Sequence, residues 1–229
     1  MDKNLVSFGC SWTFGMGLID LQSPDHYLPG PVCSKYAWPQ IMADTLNRSC
    51  INTGIPAASN LQILLEILNY EFAPNDYAAI MWTFPERDLL LHDDGESTQI
   101  ASFMEKSFFK DILKNFIGYT AGKFSVSKEM ENLPALYFKI HSLSDMSRRS
   151  QLYEYLAGLH LKNKNIPFVM GRIVSYDDPL CNTLLGVSDF CKNKVNFKDV
   201  VIDRAANGTH PGIESQKLFA KMLIEFGWT

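Results

Sequence analysis

The chain lacks a long apolar run. No stretch of its 229 residues approaches the roughly 18 consecutive apolar residues that a membrane-spanning helix needs. The first residues, Met1-Asp2-Lys3-Asn4, also lack the apolar segment of a secretion signal. The sequence therefore predicts neither a membrane partner nor export.

Cysteine is scarce and scattered. The five cysteines are an odd number, and no Cys-x-x-Cys pair occurs among them. This pattern argues against a disulfide framework and a structural zinc site, and it favours a cytoplasmic protein with reduced thiols. The loop His92-Asp93-Asp94 holds residue types that can bind a metal, but an acidic loop that ends in glycine is typical of a turn. We therefore expect no metal.

Positive charge is also limited. The formal net charge is -4, and Arg148-Arg149 and Lys162/Lys164 are only short basic clusters. Such a charge distribution argues against a nucleic-acid partner. Neither a Gly-x-Gly-x-x-Gly motif nor a Walker-type lysine occurs, which argues against a nucleotide-binding protein.

The chain does have enough apolar residues for a sizeable core. Hydrophobic residues make up 46% and charged residues 20% of the sequence, which excludes a disordered chain. Strand-length apolar runs alternate with segments of helical spacing, an order typical of a parallel, doubly wound α/β sheet. We predict a single α/β domain over residues 1–229, with a helical insertion at about residues 95–165.

The predicted elements follow from this spacing. Strands are predicted at residues 4–8, 49–52, 77–82, 167–173 and 200–202. Helices are predicted at residues 35–46, 59–72, 100–124, 133–140, 152–159 and 211–226. Ser59 and Gln62 form a capping-box pattern, and Pro211 fits the first position of the last helix. Two predicted apolar helix faces comprise Leu61, Leu64, Leu65, Leu68 and Phe72, and Leu152, Tyr155, Leu156 and Leu159.

A serine follows the first predicted strand. The turn Gly9-Cys10-Ser11 places a hydroxyl at the carboxyl edge of the sheet, where open α/β sheets bind ligands. Near the other end of the chain, Asn207-Gly208-Thr209-His210-Pro211 supplies a histidine just before the last predicted helix. Either residue alone could be a cap or a loop residue. Their pairing favours a nucleophile with its base.

These motifs and their order resemble the SGNH/GDSL hydrolase superfamily. The family's Gly-Asp-Ser corresponds to Gly9-Cys10-Ser11, where Cys10 is interpreted as a buried small residue in place of the acid. The family's Asp-x-x-His corresponds to Asn207-Gly208-Thr209-His210. The resemblance implies a flavodoxin-like three-layer α/β/α sandwich with a parallel sheet. It also implies that Ser11 is the nucleophile and His210 the base that activates it.

Two further blocks of the family pattern are altered. The block Asn-x-Gly-x-x-Gly-x-Ser/Thr corresponds to residues 52–59, so Ala57 replaces an oxyanion-hole glycine whose backbone N–H can still donate. The block Gly-x-Asn-Asp has no clean counterpart after the third strand. Thr83 or Arg87 is then the candidate oxyanion donor, although Arg87 could instead form a structural ion pair. Asn60 is a further candidate for a substrate contact.

The acid of the family's triad is replaced as well. Asn207 stands where the family has aspartate, and an asparagine can orient an imidazole but carries no charge to stabilise the imidazolium. Asp203, at the end of the last predicted strand, is the alternative source of a carboxylate.

The resemblance implies a hydrolase that acts on an ester, such as an acetylated carbohydrate or a small acyl ester, without a metal or organic cofactor. The alternative is a catalytically weak or inactive member of the fold, a binding module that holds a ligand or a protein partner at the strand edge. The alterations at Ala57, at the third block and at Asn207 favour this alternative. The sequence does not determine the oligomeric state.

Overall fold

The structure is a computed structural model that describes residues 3–21, 32–91, 97–100, 141–176 and 195–227. Its strands in these ranges are β1 (Asn4–Phe8), β2 (Ser49–Asn52), β3 (Tyr77–Trp82), β4 (Asp88–Leu91), β5 (Ser97–Ile100), β6 (Phe168–Arg172) and β7 (Val195–Asn196). Its α-helices there are α1 (Ser11–Phe14), α2 (Trp38–Thr45), α3 (Asn60–Asn69), α4 (Leu143–Asn163) and α5 (Ile213–Gly227). Short 3-10 helices lie at Ile19–Leu21 and Phe197–Val200.

Five strands form a parallel sheet in the order β2-β1-β3-β6-β7. All six residues of β3 are buried, as expected for a central strand that is covered on both faces. Because β1 lies between β2 and β3, the direction in which strands are added reverses at β1. The carboxyl ends of strands at such a reversal border a crevice where ligands bind in open α/β sheets. Ser11, which follows β1, lies at this edge.

Helices cover the sheet. Helix α2 packs against α5 and against β1 and β2, whereas α3 packs against α4. The parallel sheet with these two pairs of helices is a three-layer α/β sandwich, so the predicted fold class is confirmed. No helix within the described ranges is long and apolar enough to cross a membrane.

The predicted helical insertion is only partly helical. Strands β4 and β5 form an antiparallel hairpin, so the prediction is wrong for residues 97–100. Helix α4 lies at the carboxyl-terminal end of the predicted insertion. The acidic loop at residues 92–96 and the helices predicted within residues 101–140 lie outside the described residues. The single-domain organisation stays a prediction.

Helix α3 starts as predicted but buries a different face. The Ser59 hydroxyl accepts a hydrogen bond of 3.2 Å from the Gln62 N–H, which confirms the N-cap. The buried residues of α3 are Asn60, Ile63, Leu64 and Ile67. Leu68 of the predicted apolar face is 38% exposed. The face is rotated because the first buried position is the polar Asn60, which binds the end of β3.

Helix α4 also buries a face that apolar spacing does not predict. Leu152 and Leu156 are 37% and 40% exposed, whereas Glu154 is fully buried. Glu154 accepts two hydrogen bonds of 2.8 Å from Arg172 of β6. The predicted face is wrong because a charged residue with a partner across the core takes a buried position.

The elements after β6 are shifted relative to the prediction. The last strand in the described ranges is β7, and no strand forms at residues 200–202, because Val200 ends a 3-10 helix. Helix α5 begins at Ile213 rather than at Pro211, because Pro211 forms an isolated β-bridge with Arg204. This bridge closes the loop that carries Asn207 and His210.

Candidate active site

The turn after β1 fixes the position of Ser11. The Cys10 carbonyl accepts the N–H groups of Thr13 and Phe14 at 2.9 Å each, which starts α1 without a side-chain cap. A Cβ atom on Gly9 would overlap the Thr13 side chain, so this close approach of strand and helix requires glycine. Cys10 is fully buried, as predicted.

The structure brings Ser11 and His210 together. The Nε2 atom of His210 lies 3.0 Å from the Oγ atom of Ser11, a hydrogen-bonding distance. Ser11 is only 4% exposed, and His210 is half-buried. A nucleophile and a base in direct contact are the arrangement that hydroxyl activation needs.

The second ring nitrogen of His210 has two partners from its own loop. Its Nδ1 atom lies 2.8 Å from the Asn207 Nδ2 atom and 3.0 Å from the Thr209 Oγ1 atom. The Asn207 Oδ1 atom accepts the backbone N–H groups of Thr209 and His210 at 3.2 and 3.1 Å. Gly17 lies against this amide, where a Cβ atom would overlap it. The correspondence with the family motif predicted Asn207 beside His210, but it did not predict the contacts of Thr209 and Gly17 with this pair.

Burial keeps His210 uncharged. Its burial and the positive charges of Arg87 and Arg204 lower the pKa of His210 to about 4. The imidazole is therefore neutral at pH 7, the state in which histidine can act as a base. The influence of Arg204 had no signal in the sequence beyond its place six residues before His210.

Asp203 does not supply the carboxylate to His210 that the alternative prediction required. Its carboxylate accepts the Ser215 hydroxyl and the backbone N–H groups of Ser215 and Glu214, the latter two at 2.8 and 3.1 Å. Burial opposes ionisation, but these hydrogen bonds outweigh it and lower the pKa of Asp203. In the described part of the chain, the hydrogen-bond partners of the His210 ring are Asn207, Thr209 and Ser11. The structure thus does not bring Asp203 to His210, because the carboxylate caps α5.

Ala57 retains the backbone expected of an oxyanion-hole glycine. Its φ angle is 66°, in the left-handed region, which costs a residue with a Cβ atom about 1 to 2 kcal/mol. The N–H groups of Gly54, Ile55 and Ala58 bind oxygen atoms of Asn52, Gly9 and Ile55. Within the described part of the chain, the N–H groups of Ala57 and Ser11 donate to no protein atom.

The residues after β3 form a second hydrogen-bond cluster. The Asn60 side chain binds the Thr83 backbone twice, with its Oδ1 atom 2.8 Å from the Thr83 nitrogen, and its Nδ2 atom also donates to Ser150. Asn60 is 1% exposed and its amide is bound within the protein, so it holds the end of β3 in place, and its contact with a substrate stays a prediction. The Arg87 Nη1 atom donates to the Thr83 Oγ1 atom at 3.1 Å, and the guanidinium lies over the Phe84 ring.

No metal-binding cluster is found among the residues that the structure describes. The site thus contains a serine, a neutral histidine and a polar loop around the Nδ1 atom of the histidine. Such a set can move a proton between the serine hydroxyl and the imidazole.

Comparison with known proteins places the fold. No family model and no curated protein matches the chain. A carbohydrate esterase, whose active site is described as having divergent catalytic and non-catalytic binding functions, is 12% identical, with a TM-score of 0.50. The match covers 97% of this chain and 64% of that esterase.

Two other solved structures are similar at lower TM-scores. A G-D-S-L family protein from Desulfitobacterium hafniense DCB-2 is 13% identical, with a TM-score of 0.47, over 96% of this chain and 97% of its own. The acetyl xylan esterase Est2A from Butyrivibrio proteoclasticus is 13% identical, with a TM-score of 0.48, over 98% of this chain and 63% of its own. The chain thus spans less than two thirds of the length of both esterases. The sheet order, the helical layers and the likeness to the carbohydrate esterase together show that the protein has a three-layer α/β fold similar to that of this esterase.

Proposed function

We propose that this protein is a serine hydrolase of the SGNH type that cleaves an ester. The observation that carries the proposal is the 3.0 Å contact between the Ser11 hydroxyl and the neutral His210 at the carboxyl edge of β1. A structural serine cap does not need a histidine from the other end of the chain. The low pKa of His210 supports the proposal, because a base must be unprotonated to act.

The proposed reaction proceeds in two halves. The Ser11 oxygen attacks the acyl carbon while its proton passes to the Nε2 atom of His210, and a tetrahedral oxyanion forms. The bond to the leaving oxygen then breaks, and His210 gives the proton to the departing alcohol. Water attacks the acyl-serine in the same way, with His210 again as the base, which releases the acid and restores Ser11.

Backbone groups are the proposed oxyanion donors. The N–H groups of Ser11 and Ala57 are free to donate in the described part of the chain. Donors already fixed before the reaction stabilise developing charge without reorganisation, and loss of one such donor typically costs about a hundredfold or more in rate. Thr83 and Arg87 are the proposed further donors from the end of β3. The mechanism requires neither a metal nor an organic cofactor.

The proposed substrate is an acetylated carbohydrate or a small acyl ester. The carbohydrate ester is chosen for testing because one neighbour in fold is a carbohydrate esterase. A small acyl ester is chosen because the chemistry needs only a carbonyl carbon that the Ser11 oxygen can approach.

A second candidate function is ligand binding without turnover. The observation that favours it is the uncharged Asn207 amide beside the Nδ1 atom of His210, where a carboxylate would stabilise an imidazolium. In this case the site would hold an ester or an acid without cleaving it.

A fluorophosphonate probe tests the hydrolase proposal. We expect covalent labelling of the wild-type protein at Ser11, located by mass spectrometry of the labelled peptide. Ser11→Ala and His210→Ala should both abolish labelling, whereas the exposed Ser49→Ala should label like the wild type. Absence of labelling, together with no turnover of p-nitrophenyl acetate or an acetylated xylose, would reject the hydrolase in favour of the binding module.

A further inference from the structure

We propose that Asn207 holds His210 in the tautomer that carries its proton on Nε2. In this resting state the imidazole donates a hydrogen bond to the Ser11 oxygen and does not accept the Ser11 proton. Asn207 is therefore a positioning residue that limits the reactivity of the site. The effect on rate rests on the hydrolase function proposed above, whereas the tautomer itself does not.

The first step of the argument is the orientation of the Asn207 amide. One terminal atom of this amide lies 3.2 Å from the Thr209 nitrogen and 3.1 Å from the His210 nitrogen. Both nitrogens are backbone N–H donors, and only the amide oxygen can accept from them. A flipped amide would place its NH₂ group against two N–H groups. The orientation is thus fixed by the backbone of the loop.

The second step concerns the NH₂ group of the Asn207 amide. The Asn207 NH₂ group then faces the Nδ1 atom of His210 at 2.8 Å. Because this group can only donate, the Nδ1 atom must accept and carries no proton. The Thr209 hydroxyl, 3.0 Å from the same atom, can donate to it as well. A neutral imidazole has one N–H, which is then on Nε2, 3.0 Å from the Ser11 oxygen.

The charge state supports the second step. Arg87 and Arg204 are the charged groups that act on His210, and both disfavour an imidazolium. With a pKa of about 4, His210 is neutral at pH 7, so the two nitrogens differ in protonation. Gly17 admits the amide, because a Cβ atom there would overlap Asn207.

In the resting state, His210 thus carries its proton on the nitrogen that faces Ser11. A protonated Nε2 atom has no lone pair to accept the Ser11 proton. The reaction requires that the proton first move from Nε2 to Nδ1, which breaks the hydrogen bond from Asn207. In a well-studied serine protease, an asparagine in the position of the acid selects the wrong tautomer and costs about four orders of magnitude in rate. An aspartate at position 207 would accept hydrogen bonds from both backbone N–H groups and from a protonated Nδ1 atom.

Nuclear magnetic resonance tests the tautomer directly. Two-bond ¹H–¹⁵N correlation spectra of ¹⁵N-histidine-labelled protein at pH 7 distinguish protonated from unprotonated ring nitrogens, and His210→Gln identifies the His210 signals. We expect the wild type to show an unprotonated Nδ1, and Asn207→Asp to show a protonated one. Thr209→Val is the matched control and should keep the wild-type pattern, because Asn207 still donates. A protonated Nδ1 in the wild type would overturn the proposal even if no variant folds.

Labelling rates separate this inference from the proposed function. We expect Asn207→Asp to react with the fluorophosphonate about 10² to 10⁴ times faster than the wild type. If the wild type shows protonated Nε2 but neither protein labels, the hydrolase proposal fails and the tautomer stands. If the wild type labels as fast as Asn207→Asp and shows protonated Nδ1, the tautomer fails and the hydrolase stands. Equal labelling with protonated Nε2 would overturn the claim that Asn207 limits the rate.

Discussion

Besides burial, positive charges from two separate loops lower the pKa of the His210 imidazole. Arg87 follows β3, and Arg204 precedes the loop of His210, where its guanidinium donates to the Thr209 carbonyl at 3.3 Å. Both guanidinium groups lower the pKa of His210, after burial, which has the largest effect. The base therefore stays unprotonated over a wide range of pH.

Removal of the Arg204 charge should raise the pKa of His210. We expect Arg204→Gln to move it upward from about 4, because a nearby cation disfavours the imidazolium. Arg204→Lys keeps the charge and serves as the control. The measurement is an NMR titration of His210 with the pH profile of labelling, which should lose reactivity as the pH falls through the His210 pKa. An unchanged profile in Arg204→Gln would show that Arg204 does not contribute to this pKa.

The residues of the site differ in how far the sequence predicts them. The contact of Ser11 with His210 was predictable, because Ser11 follows a strand that ends at the carboxyl edge of the sheet and the family resemblance pairs such a serine with a histidine before the last helix. The orientation of the Asn207 amide was not, because backbone N–H groups of its own loop decide it. The partners of the Asp203 carboxylate were not predictable either. Asp203 is near His210 in the sequence, but this nearness does not indicate that Ser215 binds the carboxylate.

At the scale of elements, the loop before α5 is anchored by a carboxylate outside the helix. Asp203 binds two N–H groups of the first turn of α5 and the Ser215 hydroxyl. Helix starts leave such N–H groups without partners inside the helix, and a negative charge there also interacts favourably with the helix dipole. The anchor fixes one end of the segment that presents His210.

Loss of this anchor should lower stability more than reactivity. We expect Asp203→Ala to reduce the free energy of unfolding by about 1 to 2 kcal/mol, measured by urea denaturation. Glu214→Gln, in the same turn but exposed and paired with Lys217, should change it by less than about 0.5 kcal/mol. Folded Asp203→Ala should still label at Ser11. Unchanged stability with abolished labelling would instead identify Asp203 as the catalytic acid.

Element positions were more predictable than the faces that they bury. Strand β3 and the start of α3 agree with the sequence, because a continuous apolar run and a capping serine are local signals. The faces of α3 and α4 disagree, because Asn60 and Glu154 are buried against partners in other elements. Periodicity counts apolar residues and cannot identify a polar residue whose partner is distant in sequence.

At the scale of the whole molecule, a buried ion pair joins α4 to the sheet. The Arg172 and Glu154 side chains are 3% and 0% exposed, and the Tyr176 hydroxyl donates to the same carboxylate at 2.6 Å. The Arg172 guanidinium also lies 4.3 Å from the centre of the Tyr176 ring. This cluster attaches the helix that follows residues 101–140 to strand β6.

Replacement of both partners of this ion pair should cost less stability than the two single replacements added together. We expect Arg172→Met to destabilise the protein by about 3 to 5 kcal/mol, because Glu154 is left charged in the core. Glu154→Leu combined with Arg172→Met should cost less than the sum of the single changes, as measured by urea denaturation. The exposed pair of Lys221 and Glu225 is the control, with a coupling below about 0.5 kcal/mol. Additive effects at the buried pair would contradict the assigned coupling.

The distance of 199 positions between Ser11 and His210 has a consequence for biosynthesis. At translation rates of about 5 to 20 residues per second, roughly 10 to 40 s separate the two residues on the ribosome. Throughout that interval the nascent chain carries the serine without the histidine. The acyl transfer proposed for Ser11 therefore cannot begin before His210 has been made.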